Sequence, residues 1–118
     1  KIYHLATCST CKRIISELNN GMGFELQNIK EQPISATALD ALKTTVGSYE
    51  ALFNRRAMKY RAQGLHEQSL TEEDYRTLIL EEYTFLKRPV IIVEEEVFVG
   101  NAKKTIAAAK EKLATINN

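Results

Sequence analysis

The sequence predicts an α/β fold in which a mixed four-stranded sheet is interrupted by an all-helical insert between its second and third strands. Three observations carry that prediction. An apolar, β-prone opening run leads into a helical pattern and then a second β-prone run, which makes a βαβ unit. The long middle stretch, about 34–87, shows only helical periodicity and turn residues. After Arg88-Pro89 come two short apolar runs separated by glutamates, and then a last helical pattern.

Residues 1–6 (KIYHLA) read as the first strand and 11–20 as the first helix. In that helix Cys11, Ile14, Ile15 and Leu18 share one face, while Lys12, Arg13, Ser16 and Glu17 share the other. Gly21 and Gly23 end it, and 24–29 form the second strand. Gln32-Pro33 breaks the pattern, after which Ser35 offers an N-cap to a helix with the stripe Leu39, Leu42, Val46 and a stop at Gly47. Residues 49–53 and 57–63 read as short, basic helical pieces, the second ended by Gly64. Thr71-Glu72-Glu73-Asp74 is close to a capping box, with aspartate in the usual glutamate position, and opens a helix with Tyr75, Leu78, Ile79 and Glu82 on one side. Residues 90–93 and 97–99 form a β-hairpin across a solvated turn at Glu94-Glu95-Glu96. The last helix, 102–116, aligns Ile106, Ala109, Leu113 and Ile116 and should pack on the sheet.

The 118 residues suit a single domain, with a core from about 1–33 and 88–118 and the insert from 34–87. Sixteen basic residues stand against 15 acidic ones, so no global footprint for direct nucleic-acid binding or a membrane surface is present. Apolar runs fall far short of a membrane span, and the opening residues lack the regions of a signal peptide. The expected location is cytoplasmic.

Cys8-Ser9-Thr10-Cys11 holds both cysteines of the chain at a strand-to-helix junction. There the unpaired N–H groups and the positive end of the helix dipole favour thiolate, the attacking species. Helix phase turns Cys11 inward and leaves Cys8 exposed at the tip. A structural disulfide across so small a loop would stabilise little. Zinc could draw on His4 and His66, but these are far apart and form no second closely spaced ligand pair, so no metal is expected. Buried, inert cysteines are the remaining alternative. An oxyanion would be drawn to the N–H groups of Thr10, Cys11 and Lys12, with Lys12 and Arg13 adding charge or merely facing solvent. Arg88 could grip a tetrahedral oxyanion with two N–H groups, or serve a surface ion pair. A cis Pro89 would turn the backbone toward the cysteine loop, whereas a trans one would start an edge strand. His4 could modulate Cys8 or be satisfied locally. Arg55, Arg56, Lys59 and Arg61, with Tyr60 among them, could complete an anion site, dock a partner or form a solvated face.

Ile2-Tyr3-His4 four residues before Cys8, the CxxC at the head of the first helix, Leu86-Lys87-Arg88-Pro89-Val90-Ile91-Ile92 and Val99-Gly100 together resemble the arsenate reductase (ArsC) family and its Spx-type relatives, nearly end to end. The resemblance implies a thioredoxin-like fold with a helical insert, Cys8 as nucleophile and Arg88 as an oxyanion ligand. It also gives Arg56 the place of another functional arginine, and makes Pro89 a structural residue. Where the reductases carry Cys-Gly-Thr-Ser-Arg, this chain has Ser9 for the glycine, Cys11 for the serine and Lys12 for the arginine. Gly100 falls near the family's late third arginine. The expected function is a thiol-based oxidoreductase in which Cys8 attacks an oxyanion or disulfide and Cys11 or an external thiol resolves the intermediate. No bound cofactor is expected, with glutathione, glutaredoxin or another thiol as the reductant. The alternative implied by the CxxC is an Spx-type regulator that binds RNA polymerase through a Cys8–Cys11 thiol/disulfide switch.

Overall fold

β1 (Ile2–His4) lies second in a four-stranded sheet ordered β2-β1-β3-β4, with β2 spanning Leu26–Asn28, β3 Val90–Val93 and β4 Glu96–Val99. The computed structural model describes residues 1–116. The domain expected to reach Asn118 therefore has its last two residues outside the described residues. β1 runs parallel to β2, with Ile2 opposite Leu26, and antiparallel to β3, with Ile2 opposite Ile91. The sheet is thus mixed, as the sequence predicts. β3 and β4 pair as far as Val93 and Glu96, which shortens the turn to Glu94-Glu95. The third glutamate expected in the turn belongs to the strand, because its pairing with Val93 closes the ladder. Glu94 takes a left-handed φ of 56° to make so tight a connection.

Two compact units divide the chain, one made of Lys1–Gln32 with the residues from Arg88 onward, the other of Pro33–Lys87. In the sheet unit, Ile2, Ile14, Leu18, Ile91, Val93, Ile106 and Ala109 are buried together, with Ile15, Phe24, Phe98 and Leu113 packed against them. Each fully buried aliphatic side chain among them contributes about 1.5–3 kcal/mol. The helical stripes read from the sequence are therefore the faces that close on the sheet, from α1 (Ser9–Glu17) and from the C-terminal helix (Lys103–Ile116), except that Ile116, expected in the second stripe, is 44% exposed at the helix end. α1 begins earlier than its apolar pattern suggests, since Ser9 and Thr10 already form its first turn. It ends at Leu18, after which Asn19, Asn20 and Gly21 are all left-handed, with φ of 57°, 53° and 77°. Glycine suits the third of these positions: its φ is one that L side chains rarely adopt, and a Cβ there would lie 3.2 Å from Cγ2 of Ile15, which would have to give way.

The insert unit contains α2 (Ala36–Val46), α3 (Met58–Ala62) and α4 (Glu72–Glu81), which makes the C-terminal helix α5. Ser35 caps α2 by accepting the Ala38 N–H, and Gly47 closes it at a φ of 105°. Thr71 and Asp74 form a complete capping box on α4, so aspartate does the work of the more usual glutamate. Phe53 is buried against Phe85, Tyr75 and Tyr60, at ring separations of 5.1, 4.9 and 5.7 Å. Arg76 donates two hydrogen bonds to the carboxylate of Asp40, which also accepts from Tyr49. Short 3₁₀ turns at Leu65–Glu67 and Tyr83–Phe85 have no counterpart in the sequence pattern, being too short to show periodicity. Among the described residues no helix is long and apolar enough to cross a membrane.

Candidate active site

After β1 the chain turns at Leu5, whose carbonyl accepts the Cys8 N–H at 3.0 Å, and α1 starts one residue later. Cys8 is itself the N-cap. Its backbone is extended (φ −87°, ψ 112°), its Sγ accepts the Cys11 N–H at 3.4 Å, and its carbonyl accepts the Lys12 N–H at 3.1 Å. A sulfur in this role satisfies one of the donors that every helix leaves open at its start. Cys8 is half-buried rather than fully exposed at the tip, while Cys11, on the inward face, is 0% exposed. Both are free thiols.

The two sulfurs are driven apart in acidity. Burial pushes the Cys8 thiol up, but the N–H groups of Cys11 and Thr10, the Cys11 thiol and the Arg88 charge together outweigh it and hold Cys8 below the ordinary thiol range. At Cys11 burial dominates and, with the neighbouring Cys8 adding to it, pushes the thiol up to about 11 against the opposing pull of the Leu5 backbone and Arg88. The two thiols are thus shifted in opposite directions, Cys8 toward the thiolate and Cys11 toward the thiol.

Arg88 reaches this pair from the start of β3, half-buried, its charge felt at both sulfurs. The Arg88-Pro89 bond is cis, and the Pro89 carbonyl accepts the Gly100 N–H at 2.9 Å. Thr10, Cys11 and Arg88 are therefore brought to Cys8. Lys12 contributes differently from expectation: its amide, expected to face an anion, is bonded within the helix, and its side chain is exposed. Arg13 is paired with Glu17, one turn along α1, at 3.1 Å. Arg56 lies in the insert unit with an exposed side chain, its own N–H donated to Oδ1 of Asn54. Its neighbour Arg55 is engaged by Glu50 and the Tyr75 hydroxyl. His4 is half-buried, and burial lowers its imidazole below the usual range, favouring the neutral ring. Among the described residues no group of three or more His, Cys, Asp or Glu could hold a metal ion.

Leu5 is the participant that the sequence did not reveal. Its carbonyl shapes the turn and its backbone bonds to Cys11, roles that depend on main-chain atoms and leave no mark in residue type. The arrangement supports nucleophilic attack by Cys8 on an electrophile arriving from solvent, followed by attack of Cys11 on the Cys8 sulfur.

Residues 3–109 match the model of the ArsC family. No curated protein matches the chain. Among solved structures, a protein of Yersinia pestis described as a candidate arsenate reductase is 18% identical with a TM-score of 0.78, the similarity covering 92% of this chain and 97% of that one. An arsenate reductase from Vibrio cholerae is 22% identical at a TM-score of 0.72, over 91% and 93% of the two chains. An arsenate-reductase-related protein from Brucella melitensis is 26% identical at a TM-score of 0.69, over 91% and 90%. The thioredoxin-like α/β fold is common to all three.

Proposed function

The chain belongs to the ArsC family, and on that premise we propose that it is an arsenate-reductase-like thiol oxidoreductase with Cys8 as nucleophile and Cys11 as the resolving thiol. The observation that carries this reading is the split between the two sulfurs: a half-buried Cys8 at the head of α1, its thiol held below the ordinary range, and a fully buried Cys11 three residues on, its thiol pushed up to about 11. Arg88 stabilises the thiolate and stands where it can meet negative charge on a substrate or leaving group. For Arg56 the resemblance alone argues anion binding, and replacing it with alanine tests that separately. Regeneration of the dithiol calls for an external thiol such as glutathione, or a glutaredoxin-type protein.

The test is consumption of reducing equivalents by the reduced protein in a coupled assay with glutathione and glutaredoxin, using arsenate and small disulfides as separate electrophiles. Turnover that disappears in Cys8→Ser supports the proposal. A wild-type protein that forms the Cys8–Cys11 disulfide once but turns over neither electrophile would refute it and leave the redox-switched regulator as the better reading.

A further inference from the structure

We infer that the electrophile this site takes is the sulfur of a disulfide rather than a tetrahedral inorganic oxyanion. The inference rests on the reading of Cys8 as the nucleophile, and three observations within the sheet unit carry it.

The first concerns the donors at the head of α1. An oxyanion held at a helix N-terminus needs open N–H groups. Here the Cys11 N–H is donated to Cys8 Sγ at 3.4 Å, the Thr10 N–H also faces that sulfur, and the Lys12 N–H is donated to the Cys8 carbonyl at 3.1 Å. The donors of Cys11 and Thr10 are thus directed at the sulfur itself. A tetrahedral dianion would have to displace these bonds, whereas a neutral disulfide can approach the exposed side of Sγ and leave them in place.

The second concerns charge. Arg88 acts on both sulfurs, but Arg13 is turned away to Glu17, Lys12 extends into solvent, and position 100 is a glycine. One guanidinium suits a thiolate. It is thin support for a doubly charged ligand, which is usually held by several charge-assisted bonds.

The third concerns the second thiol. Cys11 is 0% exposed and hydrogen-bonded to Cys8, so it can reach the Cys8 sulfur while external reagents cannot reach it. That is what the second half of disulfide exchange requires. In the first step the Cys8 thiolate attacks one sulfur of R–S–S–R; a Cys8–S–S–R bond forms, the substrate S–S bond breaks, and one thiolate leaves and takes a proton from water. In the second step Cys11 gives its proton to water and attacks the Cys8 sulfur, releasing the other thiolate, which is protonated in turn. The protein dithiol is oxidised by two electrons to the Cys8–Cys11 disulfide, and the substrate is reduced to two thiols.

The experiment uses the neutral probe bis(2-hydroxyethyl) disulfide, with sodium arsenate in parallel, and reads the intact mass of the reduced wild type, Cys11→Ser and Cys8→Ser. The expected result is one mercaptoethanol adduct on Cys8 in Cys11→Ser, an internal disulfide without adduct in the wild type, and no adduct in Cys8→Ser. Millimolar arsenate should neither oxidise the wild-type dithiol nor slow the disulfide reaction by as much as about tenfold. Oxidation of the dithiol by arsenate, or protection of Cys8 by about tenfold or more, would overturn the inference while leaving Cys8 as nucleophile. A Cys8 that reacts with neither reagent would overturn the underlying reading as well. The arsenate competition needs only the wild type, so it holds even if a cysteine variant fails to fold.

Discussion

Alkylation of the native, reduced protein at limiting reagent should mark Cys8 long before Cys11, and the size of the gap follows from the site. With its thiol pushed up to about 11, Cys11 near neutral pH is ionised to only about one part in ten thousand. An ordinary thiol of pKa near 8.5 is ionised to a few per cent, so protonation alone slows Cys11 by about 300-fold. The more basic thiolate is also the better nucleophile, which at a Brønsted slope near 0.45 recovers about tenfold and leaves a deficit of about 25-fold. Burial at 0% exposure then adds the cost of opening α1 before reagent can enter, so the full gap should be much larger. Cys8, held below the ordinary range, moves the other way: its labelling should reach a plateau at lower pH than that of a free thiol. The assay is peptide-resolved mass spectrometry after pulses of iodoacetamide at pH values from about 5 to 9, repeated in denaturant as the reference. Equal labelling of the two native cysteines, or a Cys8 whose profile coincides with that in denaturant, would refute the reasoning.

Three further outcomes follow from local structure. Thr71→Ala removes the Thr71 half of the capping box on α4 and should cost about 1 kcal/mol, read as a shifted denaturant midpoint with an unchanged slope. Asp40 has its carboxyl pulled down to about 2 by Arg76 and then Tyr49; because this pKa is depressed, its stabilising contribution is complete above the usual carboxylate range and is lost as pH falls through about 2. The gap in thermal midpoint between wild type and Asp40→Asn should accordingly be constant near neutrality and close in strong acid, and a gap that widens on acidification would contradict it. Glu94→Gly relieves a left-handed residue in the β3–β4 turn and should stabilise by about 0.5–1 kcal/mol in chemical denaturation, since the lost Lys112 contact is exposed and Lys112 keeps Glu96.

Features governed by near neighbours were legible in the sequence. The phase that buries Cys11 with Ile14 and Leu18, the cap at Ser35 and the hairpin after Arg88-Pro89 each depend on residues within a turn or two. The order of the strands was not readable from periodicity, because β1 meets β3 across some ninety residues and nothing local to either marks the pairing. At the site, the residue types announced Cys8 and Cys11. What the sulfurs contact is largely main chain, and a backbone N–H carries no signature. The start of α1 slipped for a related reason: Ser9 and Thr10 contribute nothing to an apolar stripe, so periodicity places the first turn too late. With Cys8 as the cap, the amide of Lys12 belongs to the helix ladder.

On the proposed function the cap of α1 is also the reactive atom, which ties two otherwise separate histories together. A covalent partner on Cys8 would leave the Cys11 amide facing an uncharged sulfur, a weaker acceptor than a thiolate. The start of the helix would then hold less tightly, and the exchange rate of that single amide proton would report the state of the sulfur.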